Sequence, residues 1–532
     1  MLNISIIVPA LSNLGVFKND LLTKLSGKAL IDHAIDKCLL MTNHSNIYVV
    51  TDNEEVDLLC SRKGVMTQLY FGDELSFELD SLITLKKTIE VNTPHVVLLS
   101  PYALFLEIDT VRRALELSKN GIFVKPAVKL DGEVYFRHKN GAVITSGLND
   151  TAECYKTLKT FILCESKVDE SFKVTQRNIL IKNEIDLEFK SRHDIWVYEK
   201  LLNRKKIVFN VAASKEIGMG HVYRALSLAH EIIEHEVVFV CNDESSLAVI
   251  KLSEHEYPVY ICPKNELSEC IKNLTPSLVI NDFLNTDTSY MDSLRLAGIK
   301  TINFEDLGPG ARKADCTIND LYDEPLYKSD NTLWGHEYFF VRDEFYSAIP
   351  HSIDSKVESV LLTFGGTDQN DFTRKFYRTI KEFCSHRQIK LYIVTGEGYS
   401  YLKELEEELS GIPSEQIEFV HKTGVMSSLM EKSQIAISSN GRTVYELAHM
   451  NIPTIVISHH SRESNHKFSC FDHGFVNLGT YLAETTESQL MLAFEKLVND
   501  HEYRKGLISS MEKFSFVKNK NKINNLISSL IN

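Results

Sequence analysis

The chain has 532 residues and carries 72 Asp and Glu against 58 Lys and Arg, a formal net charge of −14. That is chain enough for about three folding units, and the acid excess excludes a general nucleic-acid binder, whose affinity rests on clustered Lys and Arg neutralising phosphates. The ten cysteines are scattered, with no Cys-x-x-Cys pair and no Cys/His cluster at zinc spacing, as suits reduced thiols in a cytoplasmic protein, and no apolar run is long enough to span a membrane or open as an export segment.

Residues 1–204 alternate short apolar runs with amphipathic stretches. Ile4–Val8, Ile47–Val50 and Val96–Leu99 read as buried parallel strands, and Leu30–Leu40 and Ile108–Ser118 as helices. Such alternation predicts an α/β layered domain with its ligand at the carboxyl ends of the strands. Polar loops follow two of those ends, Pro9 to Asn19 and Thr51 to Glu55.

Val8-Pro9-Ala10-Leu11, the loop ending in Lys18-Asn19, and the later Asn183-Glu184-Ile185-Asp186-Leu187-Glu188 resemble the cytidylyltransferases that activate sialic-type sugars, the CMP-acylneuraminate synthetases. The resemblance implies a nucleotidyltransferase-like doubly wound α/β domain, with Lys18 and Asn19 near the nucleotide and Mg²⁺ on Asp186 and Glu188, hard oxygen ligands of the kind that cation prefers. Asp186 and Glu188 read equally as acids at a solvated helix start. The sequence departs from the family where its arginine is replaced by Leu11, where the loop is shorter and lacks the first of two lysines, and where only Leu99-Ser100-Pro101 remains of a Gln-Pro-Thr-Ser-Pro segment. Nucleotidyl transfer depends on neutralising charge as it develops, so the domain is expected to be an altered or inactive CMP-sugar synthetase.

The cluster Asn203-Arg204-Lys205-Lys206 marks a boundary, giving domains 1–204, 205–350 and 351–532. The second of these carries strands at Ile207–Phe209, Val237–Val240, Leu278–Ile280 and Lys300–Asn303. A less regular passage from Tyr346 to Lys356 leads to the third, which opens on the strand Ser359–Phe364.

Three strand–turn–helix junctions stand out. In Ile217-Gly218-Met219-Gly220-His221-Val222-Tyr223-Arg224, Gly218 and Gly220 let backbone N–H groups face a ligand, the helix start favours phosphate, and His221 stands at the helix mouth, an imidazole suited to proton transfer near neutral pH. Gly365, Gly366 and Thr367 follow a strand and can cradle a pyrophosphate. Ser438, Asn440, Gly441, Arg442 and Thr443 supply donors at a third turn, and Glu446 can accept both hydroxyls of a ribose. The bland alternatives are tight packing turns for the glycines and a Thr443-x-x-Glu446 capping box.

Taken together the three junctions resemble the UDP-sugar hydrolases of the pseudaminic-acid pathway and their spore-coat polysaccharide relatives, over about residues 206–500. That resemblance implies a GT-B pair of Rossmann-like domains, with His221 activating water at the anomeric carbon, Arg224, Asn465 and His466 near the sugar, and no cofactor needed. Asp282 and the pair Glu305-Asp306, each after an expected strand, can orient His221 or the sugar. Asn210 stands where the family carries arginine, and Arg442 where it carries a small residue. His459, His460 and His466 lie close in sequence, but without cysteine a metal site is not expected there.

The expected function is nonulosonic (sialic-acid-like) acid biosynthesis, the C-terminal module hydrolysing a UDP-diacetamido-trideoxyhexose to sugar and UDP. The alternatives are a glycosyltransferase acting on a protein or polysaccharide from a UDP- or CMP-linked sugar, and a non-catalytic nucleotide-sugar scaffold. The expected partner is the nucleotide sugar, not nucleic acid or membrane, and an oligomer is compatible with the sequence.

Overall fold

The computed structural model describes residues 1–119, 121–130, 135–137, 143–145, 154–171, 175–180, 189, 191–214, 218–352 and 354–531. Two compact units divide between Asn203 and Arg204.

The first unit is built on the strand Ile4–Ala10, whose seven residues are all buried. Because side chains alternate across a strand, Ile4, Ile6, Val8 and Ala10 enter one apolar core and Ile7 the opposite one. The helices Leu30–Met41 and Ile108–Leu117 close the first face, and Leu79–Thr88 closes the other. Ile47–Thr51 and His95–Leu99 flank the central strand in parallel, as the apolar runs predict. The sheet is not parallel throughout: Phe161–Glu165 runs antiparallel between His95–Leu99 and Ile122–Leu130, and Cys154–Thr157 pairs antiparallel at the edge. Helices cover both faces, so the domain is doubly wound as expected, but its eight-stranded sheet is mixed rather than parallel throughout.

The second unit holds two lobes, each around an all-parallel sheet. The first lobe orders its seven strands as Val259–Cys262, Glu236–Asn242, Lys206–Val211, Leu278–Asp282, Lys300–Phe304, Cys316–Asn319 and Thr332–Trp334. The second orders six as Ile417–His421, Lys390–Thr395, Ser359–Thr363, Ile435–Ser439, Thr454–Ser458 and Phe475–Thr480. Strands buried on both faces need continuous apolar runs, and Leu278–Asp282, Ser359–Thr363 and Ile435–Ser439 are buried at every residue. This is the GT-B arrangement. In each sheet the strand order reverses once in its middle, between Lys206–Val211 and Leu278–Asp282 and between Ser359–Thr363 and Ile435–Ser439. Ligands of open α/β sheets bind outside the carboxyl ends of the strands at such points.

The end of the chain departs from the expected domain limits. The helix Asn519–Ile531 returns to the first lobe, where Ile523 and Ile527 share a core with Ile207, Phe209 and Ile302. Lys520, almost wholly buried, fastens it by ion pairs to Glu231 at 2.8 Å and Asp343 at 2.7 Å. The boundary at 351 therefore separates the sheets but not the packing, because burial of one apolar face drew the last helix back across.

Candidate functional site

Two cavities, of 310 and 240 Å³, share Met219, Gly220, Gly365, Gly366, Arg442 and Thr443 in their walls and so form one cleft between the lobes. The loops that frame it leave the two switch points. Gly218 and Gly365 both adopt positive φ, 84° and 80°, backbone that side-chain-bearing residues rarely tolerate. The loops also approach closely: a Cβ on Gly220 would lie 3.0 Å from Arg442 Cδ, and one on Gly366 would lie 3.5 Å from the nitrogen of Met219. The larger cavity continues past Tyr223, Arg342, Lys422 and Glu446, and the smaller past His221, Thr367, Glu463 and His466.

His221 is the second residue of the helix Gly220–Ala229 and is buried at the wall of the smaller cavity. Its Nδ1 lies 2.7 Å from Asp282 Oδ1 at the end of the central strand Leu278–Asp282. Arg224, one turn further along the helix, grips the same carboxylate with Nε on Oδ2 at 2.8 Å and Nη2 on Oδ1 at 2.5 Å. Nη2 also stands 3.2 Å from His221 Nδ1. Two donors therefore converge on one carboxylate oxygen, which assigns the proton to Nδ1 and the lone pair to Nε2. Burial alone would raise the Asp282 carboxyl, but the Arg224 charge and the hydrogen bonds from Arg224 and His221 hold it below the usual carboxylate range.

A charge cluster lies behind this pair. Arg224 Nη1 donates to Glu305 at 2.7 Å and to Asp320 at 3.2 Å. From the second lobe, Arg442 Nη1 donates to the same two carboxylates, at 3.1 Å and 2.9 Å. Both guanidiniums also face aromatic rings, Arg224 over Phe304 at 4.6 Å and Arg442 over Phe339 at 4.4 Å. Burial works against the Arg224 charge, yet Asp282, Glu305 and Asp320 together overcome it and hold the proton more tightly than in water. Glu305 is held well below its ordinary value by Arg224, His221 and Arg442 despite burial. It sits at φ 52°, a left-handed conformation costly for a residue with a side chain and often found at functional sites.

The cleft brings together Gly218, Gly220, His221, Gly365, Gly366, Thr367, Gly441, Arg442, Thr443, Glu446 and His466. Five expectations need correction. Ser438 is fully buried with an unpartnered hydroxyl, and it is Ser439 that reaches the wall, because alternation along the strand turns neighbours to opposite faces. Asn440 is buried behind the wall, its amide bonding the carbonyls of Glu463 at 2.8 Å and His466 at 3.1 Å. Arg224 has no exposed side-chain surface, and its donors go to carboxylates rather than to a sugar. Asn465 is exposed and outside the described walls. Asp306 turns from the cleft to Thr286, Asn303 and Gly308.

Glu446 accepts from Arg342 Nε at 2.9 Å. The capping-box alternative is not realised: Arg442 is the N-cap of the helix Thr443–His449, and no side chain caps it. Sequence reasoning missed Asp320, Arg342, Arg462 and Glu463. Asp320 alone carried a signal, as an acid directly after the strand Cys316–Asn319.

In the first unit, a cavity of 440 Å³ opens beside Pro9, Asn13, Gly15, Ser100, Tyr102, Lys159 and Thr160. Leu11 is buried in the core with Ile7, Tyr48 and Val50, so that position presents no polar group to the cavity. Lys18 and Asn19 are exposed and outside its described wall, because the loop is turned around buried Asp20, which accepts from Val16 N–H and from Tyr102 Oη, both at 2.7 Å. Asp186 and Glu188 lie outside the described residues.

Residues 360–522 match the glycosyltransferase family 28 C-terminal domain. The chain is 29% identical over 271 residues to an uncharacterized protein of Methanocaldococcus jannaschii, covering 47% of this chain and 55% of that one. It is 22% identical over 255 residues to the spore coat polysaccharide biosynthesis protein SpsG of Bacillus subtilis, 46% of this chain and 74% of the other. Over 174 residues it is 28% identical to the UDP-2,4-diacetamido-2,4,6-trideoxy-beta-L-altropyranose hydrolase of Campylobacter jejuni, 31% of this chain and 61% of the other. The first of these relatives is thus spanned over little more than half its length. Among the described residues no helix is long and apolar enough to cross a membrane.

Proposed function

We propose that the second unit hydrolyses a UDP-linked sugar to UDP and free sugar, and that the sugar is a diacetamido-trideoxyhexose of nonulosonic-acid biosynthesis. The observation that carries this is the His221–Asp282 hydrogen bond in the wall of a cleft to which the glycine loops of both lobes contribute. The name of the Campylobacter jejuni relative supports the choice of sugar and of water as acceptor.

The uridine occupies the larger cavity, its ribose at Glu446, and the sugar occupies the smaller one beside His221 and His466. His221 Nε2 takes a proton from water as the water oxygen bonds to the anomeric carbon. The bond from that carbon to the diphosphate oxygen breaks, and its electron pair leaves with UDP. Asp282 holds Nδ1–H and stabilises the imidazolium as it forms, and a base so positioned contributes about 10²–10⁴-fold. The start of the helix Gly220–Ala229 and the loop at Gly365–Thr367 face the departing charge. For the first unit we propose a binding domain of cytidylyltransferase ancestry that does not transfer nucleotide, because its cavity has one cationic side chain, Lys159, among the described residues.

The test is turnover in H₂¹⁸O with a UDP-diacetamido-trideoxyhexose, read by mass spectrometry, beside a CMP-nonulosonate arm and a CTP plus nonulosonate arm. Free sugar labelled at the anomeric oxygen, unlabelled UDP and no product in the other arms are expected. Label in UDP would place the attack at phosphorus and overturn the mechanism, and turnover of the CMP-sugar alone would overturn the choice of donor.

A further inference from the structure

We propose that Glu463 is a substrate-binding acid that meets the donor sugar as a neutral carboxyl, donating one hydrogen bond and accepting another, and that it must hold its proton for the sugar to bind. This rests on the nucleotide-sugar reading of the cleft.

Glu463 opens the turn Glu463–Asn465 after the strand Thr454–Ser458 and lies in the wall of the smaller cavity with His221 and His466. The turn is held rigidly. Asn440 bonds the Glu463 carbonyl at 2.8 Å, and Oε2 accepts the backbone N–H of His459 at 2.7 Å, which leaves Oε1 for the cavity.

The cations nearby are engaged elsewhere. Arg462 turns to Tyr322 Oη at 3.2 Å, Asn285 at 3.3 Å and the Glu305 carbonyl at 3.1 Å, and Arg442 is spent on Glu305 and Asp320. Among the described residues no cation forms an ion pair with Glu463. The other titratable groups around it are His459, His460 and His466 on its own loop, with Asp368 3.9 Å from His459, and His221 and Glu305 of the first lobe in the same cavity wall. Burial lowers all three of those loop histidines, His459 to about 4, so near neutral pH they offer no counter-charge. Burial raises the Glu463 carboxyl to about 7, with the His459 N–H pulling the other way. A carboxyl without a counterion in the wall of the cleft keeps its proton once a bound sugar excludes water from it. Neutral, it matches the hydroxyl and amide groups of an uncharged sugar. Ionised, it would join Glu305 in repelling a sugar that carries a carboxylate.

The experiment is calorimetric titration of UDP-N-acetylglucosamine and of UDP into the full chain and into Glu463→Gln, from pH 6 to pH 8.5. Glutamine keeps the acceptor for His459 N–H and carries a donor at every pH. If only the protonated fraction binds, the wild-type affinity for the sugar nucleotide falls about thirtyfold over that range, while Glu463→Gln stays flat and UDP, whose terminal phosphate itself titrates there, shows one and the same pH profile in both proteins. The same pH profile in both proteins would overturn the role of Glu463, as would a sugar nucleotide that binds no differently from UDP at every pH. Binding of neither ligand would overturn the nucleotide-sugar reading itself and this proposal with it.

Discussion

Nδ1 of His221 and Oδ1 of Asp282 lie 2.7 Å apart, with the Asp282 carboxylate clamped from its other side by Arg224. Asp282 is thus both the orienter of an imidazole and the counterion of a guanidinium. Asp282→Asn keeps the shape but offers one acceptor oxygen where two are used, so the imidazole loses its fixed tautomer. A fall in kcat of about 10²–10⁴ is expected, with UDP affinity nearly unchanged. Steady-state kinetics beside a UDP titration check it.

Gly396 supports the cleft from behind. A Cβ there would stand 2.5 Å from both Cα and O of Gly366, and the neighbours are backbone that cannot swing aside. Gly396→Ala should push the Gly365–Thr367 loop into the cleft, costing about 1–3 kcal/mol of stability and weakening UDP binding. Urea unfolding and calorimetry read the two effects separately.

Arg342 donates to one oxygen of Glu446 at 2.9 Å while its guanidinium lies 5.5 Å from the Tyr223 ring. This leaves the second oxygen for ribose hydroxyls. Glu446→Ala removes charged hydrogen bonds of about 1.5–3 kcal/mol, so UDP should bind at least about tenfold more weakly. 2′-Deoxy-UDP should lose less, and an equal loss for both nucleotides would remove Glu446 from the ribose.

His459 and Asp368 approach to 3.9 Å, but they do not form an ion pair between about pH 4 and 6. Burial raises Asp368 to about 6 and lowers His459 to about 4, so both are neutral in that window. The signs oppose. The folded state holds a proton on Asp368 that the unfolded chain has released, which lowers stability as pH rises. The unfolded chain holds a proton on His459 that the folded state lacks, which raises it. Asp368→Asn leaves only the second slope, so the variant's unfolding free energy should rise by about 1.5 kcal/mol more than that of the wild type between pH 4.5 and 6.0. Urea melts at the two pH values measure it.

Much of the second unit is legible in sequence because its sheets are parallel and buried, so that central strands stand out as apolar runs. The glycine turns follow such runs directly, and Gly218, Gly220, Gly365 and Gly366 fall where chain and physics agree. Edge strands are harder: in Val259–Cys262 both Tyr260 and Ile261 are exposed, and the alternation fades. The charge cluster is harder still, because Arg442 meets Glu305 and Asp320 across 137 and 122 residues, and no local pattern encodes such a contact. Ser438 and Ser439 differ by one residue of register, which no sequence pattern sets at the end of a strand buried on both faces, and it is Ser439 that reaches the cleft. Glu463 looks like any acid in a polar loop until the fold half-buries it in the cleft wall.

The claim on which the rest depends is that His221 takes the proton from water. The most direct test is His221→Ala, with kcat measured on a UDP-diacetamido-trideoxyhexose and the dissociation constant of UDP measured on the same preparation. The account predicts a loss in kcat of about 10²–10⁴ with UDP bound within twofold of the wild type. Turnover within tenfold of the wild type at unchanged UDP affinity would contradict it.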